Sequence, residues 1–171
     1  MEQAQLIKFV EEVHQQCRFG KMAWQGLRSA LNGMDNERAF FHIHAFLDRA
    51  RMVSRFLWTD NESSQNRSRS LREILKVSDS SPLNASGLKT FADSTDADFE
   101  KWLFSLGHSR YIGANIMPKG TMSDFAQDAF LRSLDPEMYH FTWYDRGLDL
   151  RGIFDALRGI ESAAEAWIKR Q

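Results

Sequence analysis

Leu88 to Trp102 reads LKTFADSTDADFEKW, and the fold turns on whether this stretch is one helix. Leu88, Phe91, Thr95, Phe99, Trp102 and Leu106 recur at steps of three and four. At about 100° per residue that spacing collects them into a narrow stripe on one side of a helix. The stripe predicts a core seam with Phe99 and Trp102 buried in it. Lys89, Asp93, Asp96 and Glu100 gather on the opposite side, so the same helix carries a second face with enough charge to be a functional candidate. The spacing predicts a helix from about Asn84 to Leu106, stopped by Gly107.

Toward the amino end, Leu6, Val10, Val13, Cys17, Trp24, Leu27 and Leu31 keep a three/four spacing, with Gly20 in the seam position between Cys17 and Trp24. This predicts one long helix over Glu2 to Leu31, with Gly20 as the place for a bend. Asn32-Gly33 is a C-cap pair, and Asp35 or Asn36 caps a second helix running to about Trp58, so the two should form an antiparallel hairpin. Phe40, Ile43, Leu47, Ala50, Ser54 and Leu57 give that second helix its main apolar side. The segment TDNESSQNRSRS, Thr59 to Ser70, is polar and aperiodic and predicts an exposed loop, followed by a short helix from Leu71 to Val77.

Beyond Gly107 the pattern changes. Tyr111 to Met117 is short and partly β-prone, while Leu131 to Leu134 and Tyr139 to Tyr144 flank Asp-Pro-Glu-Met, a hairpin signal. Asp149 then opens a last helix whose buried side is Ile153, Phe154, Leu157, Ile160, Ala164 and Trp167. The fold class predicted is mainly all-α, a helical bundle with a small β-hairpin near the C-terminal end, in a single domain over residues 1–171.

Composition sets the bounds. With 171 residues, 43% hydrophobic and 26% charged, the chain has ordinary globular proportions and enough length to bury one core. Five Trp and thirteen Phe make an aromatic interior that needs neither metal nor disulfide. Cys17 is the one cysteine; with no amino-terminal apolar run of signal-peptide length, this predicts a cytoplasmic protein. No apolar run reaches membrane-spanning length. A net charge of -1 argues against a general nucleic-acid coating function, leaving a local basic face.

Three stretches carry a resemblance. FFHIHAFLDRARMVSRFLW (Phe40 to Trp58), LREILKVSDSSPL (Leu71 to Leu83) and LKTFADSTDADFEKW resemble, in order and spacing, a bacterial family of the HEPN-like helical class. The resemblance spans roughly Phe40 to Leu150. It implies a helical bundle, often a homodimer whose paired helices bring two copies of a motif together. That motif is Leu-Arg-Asn, three further residues and His, and many members are metal-independent ribonucleases. At the motif positions this chain has Lys89, Thr90 and Ser94. Lysine attracts phosphate but offers no planar fork, and a serine without a neighbouring base has no proton to exchange near neutral pH. The resemblance therefore implies a non-catalytic HEPN-like interaction protein that binds RNA or a protein partner, with no cofactor.

Two alternatives use other residues. His44, Asp48, Arg51 and Arg55 are spaced four, three and four apart, a polar stripe on an apolar helix. Its ordinary explanation is a structural ion-pair row with Asp48 bridging His44 and Arg51. Its functional one is a metal-independent endoribonuclease in which Asp48 orients His44 for proton transfer while the arginines Arg51 and Arg55 hold phosphate, with Lys89 a further candidate for attracting it. Asp93, Asp96 and Glu100 could offer oxygens to Mg²⁺ or Mn²⁺ and make a metal-dependent enzyme; their ordinary explanation is a solvated acidic face that pairs with Lys89 and Lys101. Arg51, Arg55, Arg67, Arg69 and Arg72 outline a positive patch, the best nucleic-acid candidate in the chain, since loop arginines can follow a backbone without reading bases. His14, His108 and His140 stand alone in the sequence.

Overall fold

The structure is a computed structural model that describes residues 3–91, 95–107, 111–118, 120–121, 125, 129–144 and 146–171. Its packing divides into two compact units, residues 1–89 with 152–171 and residues 90–151. The chain is mainly α-helical with a β element toward the C-terminal end, as its periodicities predict.

The first unit is built on a helical hairpin, α1 (Gln3–Asn32) and α2 (Asn36–Leu57). Val10, Val13, Cys17, Trp24 and Leu27 of the expected seam are buried, facing Phe40, Ile43, Phe46, Leu47, Ala50, Val53 and Leu57 of α2. The turn uses Asn32-Gly33 one residue later than the sequence suggests. Asp35 donates its backbone N–H to the Ala30 carbonyl at 2.9 Å, and Met34 rather than Gly33 takes the left-handed conformation, at φ 54°. That is the six-to-one closure of a Schellman cap. The Asp35 side chain then accepts from the Arg38 N–H at 3.0 Å and starts α2. Gly20 has a packing role: a Cβ there would lie 3.0 Å from Leu157 Cδ1 of α6 (Leu150–Ile168). Trp24 stacks on Phe154 of α6 at 4.6 Å with planes 13° apart.

Helix α3 (Gln65–Leu75) begins inside the stretch predicted to be a loop. Asn61 caps a 3-10 turn, Glu62–Ser64, that runs directly into it. The seam of α3 is Ser68, Leu71 and Leu75, all buried, and it opens on a serine whose hydroxyl donates to the Phe56 carbonyl at 2.9 Å. A hydrophobicity pattern is blind to that first position. Ser81 caps a second 3-10 turn, Pro82–Asn84, which buries Leu83.

The predicted single helix over Leu88 to Trp102 is not continuous. A one-turn helix α4 (Ser86–Lys89) ends the first segment of unit one, Thr90 and Phe91 form a turn, and α5 (Thr95–Ser105) follows in unit two. Serine and threonine at 90, 94 and 95 are weak helix formers. Tertiary contacts hold the break open: the Thr90 carbonyl accepts from Arg146 at 3.4 Å, and Phe91 meets Phe141 and Trp143 edge-on at 6.5 and 6.1 Å. Leu88, Phe91, Trp102 and Leu106 are buried as predicted, but Phe99 is 40% exposed. Asp93 and Ser94 lie outside the described residues.

The second unit carries a four-stranded sheet in the order β1 (Asn115–Ile116), β2 (Arg132–Asp135), β3 (His140–Trp143) and β4 (Arg146–Asp149). The predicted hairpin is β2–β3, turning through Pro136 to Tyr139. Strand β1 pairs parallel with β2, and β4 extends the sheet antiparallel to β3. One face buries Leu134, Phe141 and Leu148. No helix among the described residues is long and apolar enough to cross a membrane.

Candidate functional site

The polar stripe of α2 keeps its spacing because the helix is unbroken from Asn36 to Leu57. His44, Asp48 and Arg51 are half-buried and Arg55 is exposed. Asp48 forms an ion pair with its chain neighbour Arg49, which also donates from Nη1 to Gln16 Oε1 of α1 at 3.2 Å. Arg51 donates from Nε to the Lys89 carbonyl at 3.3 Å. Two residues nominated to hold phosphate thus meet through the last carbonyl of α4, where a guanidinium satisfies an orphan acceptor of the helix end. Lys89 and the acidic residues Asp96 and Glu100 do not share a helix, since Lys89 closes α4 and the two acids lie exposed on α5.

The positive patch includes residues that hold the α2–α3 corner together and residues whose side chains are exposed there. Arg72 donates to the Leu57 carbonyl at the end of α2, pairs with Asp79 at 3.4 Å and lies 5.9 Å from the Trp58 ring centroid. Trp58 Nε1 donates to the same Asp79 carboxylate at 2.9 Å. Arg67 sits 4.8 Å over the Phe9 ring, with its Nε buried and without a hydrogen-bond partner. That is a packing role, worth on the order of 1–2 kcal/mol for a desolvated cation on a ring. Arg55, Arg69 and Lys76 are exposed.

In unit two Asp98 pairs with Arg146 at 2.7 Å. Burial, followed by the charge of Asp98, raises the Tyr144 hydroxyl above its ordinary pKa. Among the described residues no group of three or more His, Cys, Asp or Glu is placed to hold a metal. Burial, followed by the charge of Glu161, pushes the Cys17 thiol up to about 12, which keeps it protonated and unreactive.

Strand pairing assembles a group that sequence reading leaves scattered. His140 stands opposite Asp135 on β2 and Asp149 on β4, and Thr142 stands opposite Ser133, which in turn pairs with Asn115. Side chains alternate across a sheet, so these six share the face opposite Leu134, Phe141 and Leu148. Asn115 Nδ2 donates to Ser133 Oγ at 3.4 Å. Asp135 Oδ1 accepts from the Glu137 and Met138 N–H groups at 2.9 and 3.0 Å, which fixes the carboxylate at the start of the turn. His140 lies over Gly147, where a Cβ would come 2.7 Å from Nε2. A cleft of about 300 Å³ opens on this face, floored by Asn115, Ser133, Thr142, Asp135 and His140. Met117, Pro118, Phe130 and Met138 also line it. The alternation Ser133, Leu134, Asp135 and His140, Phe141, Thr142 is the signal that could have found this face. No family model, curated protein or solved structure matches the chain.

Proposed function

We propose that the chain is a non-catalytic, HEPN-like interaction protein that binds single-stranded RNA by its phosphate backbone at the corner between α2 and α3. The observation that carries this reading is the division of labour at that corner. Arg72, Asp79 and Trp58 lock the frame, and Arg55, Arg69 and Lys76 are exposed to solvent beside it. Three cations on a fixed frame suit a charged polymer read without base contacts. The replacement of the family's Arg, Asn and His by Lys89, Thr90 and Ser94, together with the seating of Arg51 on a helix-end carbonyl, supports binding without cleavage.

Fluorescence anisotropy with a labelled oligonucleotide tests this. Three phosphate contacts predict that log K falls with log salt at a slope near ~-2, about a twenty-fold loss between 50 and 200 mM salt. Arg55→Ala with Arg69→Ala should weaken binding across all sequences and flatten the slope toward about -0.7. RNA cleaved in EDTA, with activity lost in His44→Ala, would put a metal-independent endoribonuclease in place of this reading. Cleavage that needs Mg²⁺ or Mn²⁺ and is lost in Asp96→Ala would put a metal-dependent enzyme there. If neither cleavage nor salt-sensitive binding is observed, RNA is removed and a protein partner becomes the ligand to seek. The family resemblance also implies a homodimer, and the lone cysteine suits a reducing, cytoplasmic setting; light scattering that returns 19.8 kDa at micromolar concentration contradicts the dimer.

A further inference from the structure

We infer that the cleft on the polar face of the sheet is a binding site for a small, uncharged, polyhydroxylated ring, the chemistry shared by a monosaccharide and the ribose of a nucleoside. A polar sheet face is ordinarily just solvated. Here it floors a cleft of about 300 Å³ whose sides include Met117, Pro118, Phe130 and Met138. Apolar walls around a few convergent polar groups are the composition of a ligand site, and the volume, at the small end of such pockets, suits one ring.

The floor selects the chemistry. A ring hydroxyl is both donor and acceptor, and it needs neighbours of both kinds. Asn115, Ser133 and Thr142 form a row across three strands that offers amide and hydroxyl donors as well as acceptors; Asp135 adds a carboxylate and His140 a ring nitrogen. Among the described residues that line the cleft none is Lys or Arg, and Asp135 contributes a carboxylate, a set that suits hydroxyls better than anions. Two of the polar groups are set in place before any ligand arrives. The turn amides hold Asp135, and the backbone at Gly147 gives His140 room to lie flat. Such preorganisation lowers the ordering cost of binding.

The test is an amide-resolved NMR titration of the full chain with methyl glucopyranoside, adenosine and inorganic phosphate in separate arms. Either ring compound should shift the Ser133, His140 and Thr142 amides with a millimolar Kd, and inorganic phosphate should not. The arm that responds tells a free sugar from a nucleoside, and a response in both identifies the shared ring. Ser133→Ala with Thr142→Val should weaken binding at least tenfold, while Arg55→Ala with Arg69→Ala should leave it unchanged, which separates this site from the RNA reading. His140→Gln, at an exposed position, gives the same readout should the double variant fail to fold. The inference is overturned by silence of these amides at about 10 mM of both ring compounds, by a shift with phosphate instead, or by binding that survives the cleft substitutions.

Discussion

Gly26 and Gly159 both sit inside helices, where glycine costs about 1 kcal/mol relative to alanine, and their surroundings set opposite expectations. Nothing lies within 4 Å of a Cβ built at Gly159, so Gly159→Ala should stabilise the protein by about 1 kcal/mol. At Gly26 a Cβ would come 2.6 Å from His42 Nε2. Displacing that ring costs roughly 1–3 kcal/mol, so Gly26→Ala should be neutral or destabilising. Chemical melts of the two variants check the contrast, and equal gains would mean that His42 does not press on α1. The same seat shapes the pH response. Burial, followed by the charge of Arg38, lowers the His42 pKa from its ordinary 6.5. The folded state therefore resists protonation at this ring: the stability is fully present above 6.5 and is lost as pH falls through the lower folded value. The denaturation midpoint should be lower near pH ~5 than near ~7.5, and His42→Gln should narrow that difference. An unchanged difference would assign the pH dependence to other groups.

Helix α5 shows how far an element can depart from its own periodicity. Trp102 is 7% exposed and Phe99 is 40% exposed, so Trp102→Ala should cost on the order of 3–5 kcal/mol and Phe99→Ala less than about 2. Thermal melts that rank them the other way would return Phe99 to the core. The periodicity of Leu88 to Leu106 identifies four of the residues that become buried, yet it cannot say that Leu88 buries in one unit while Phe91, Trp102 and Leu106 bury in the other. Three-residue and four-residue steps survive a break whenever both halves remain amphipathic; the break coincides with contacts far away in sequence, Arg146 on the Thr90 carbonyl and Phe91 against Phe141 and Trp143. The α1–α2 hairpin and the β2–β3 hairpin were legible because caps and turns are local chemistry. The start of α3 was not, because Ser68 occupies a seam position by hydrogen bonding rather than by hydrophobicity. The cleft was hidden for a similar reason. Its members are ordinary polar residues, and only strand register places His140 beside Asp135 and Asp149.

At the scale of the molecule, the helical unit is discontinuous in sequence: its chain leaves at Lys89 and returns at Gly152. The α1–α2 hairpin forms from neighbours, whereas the Trp24–Phe154 stack and the approach of Leu157 to Gly20 await a distant segment. Contacts closed over a long stretch of chain tend to form after the folding nucleus. Phe154→Leu should accordingly speed unfolding and leave the folding rate nearly unchanged; a chevron whose folding limb drops by the whole stability loss would place α6 in the nucleus instead. The same connectivity has a consequence during synthesis. Residues 90–151 take on the order of 3–12 s to translate at ordinary elongation rates. For that interval Trp24 and the α1 groove at Gly20 lie open beside the ribosome exit, a window in which a chaperone or a second nascent chain can reach them before α6 does.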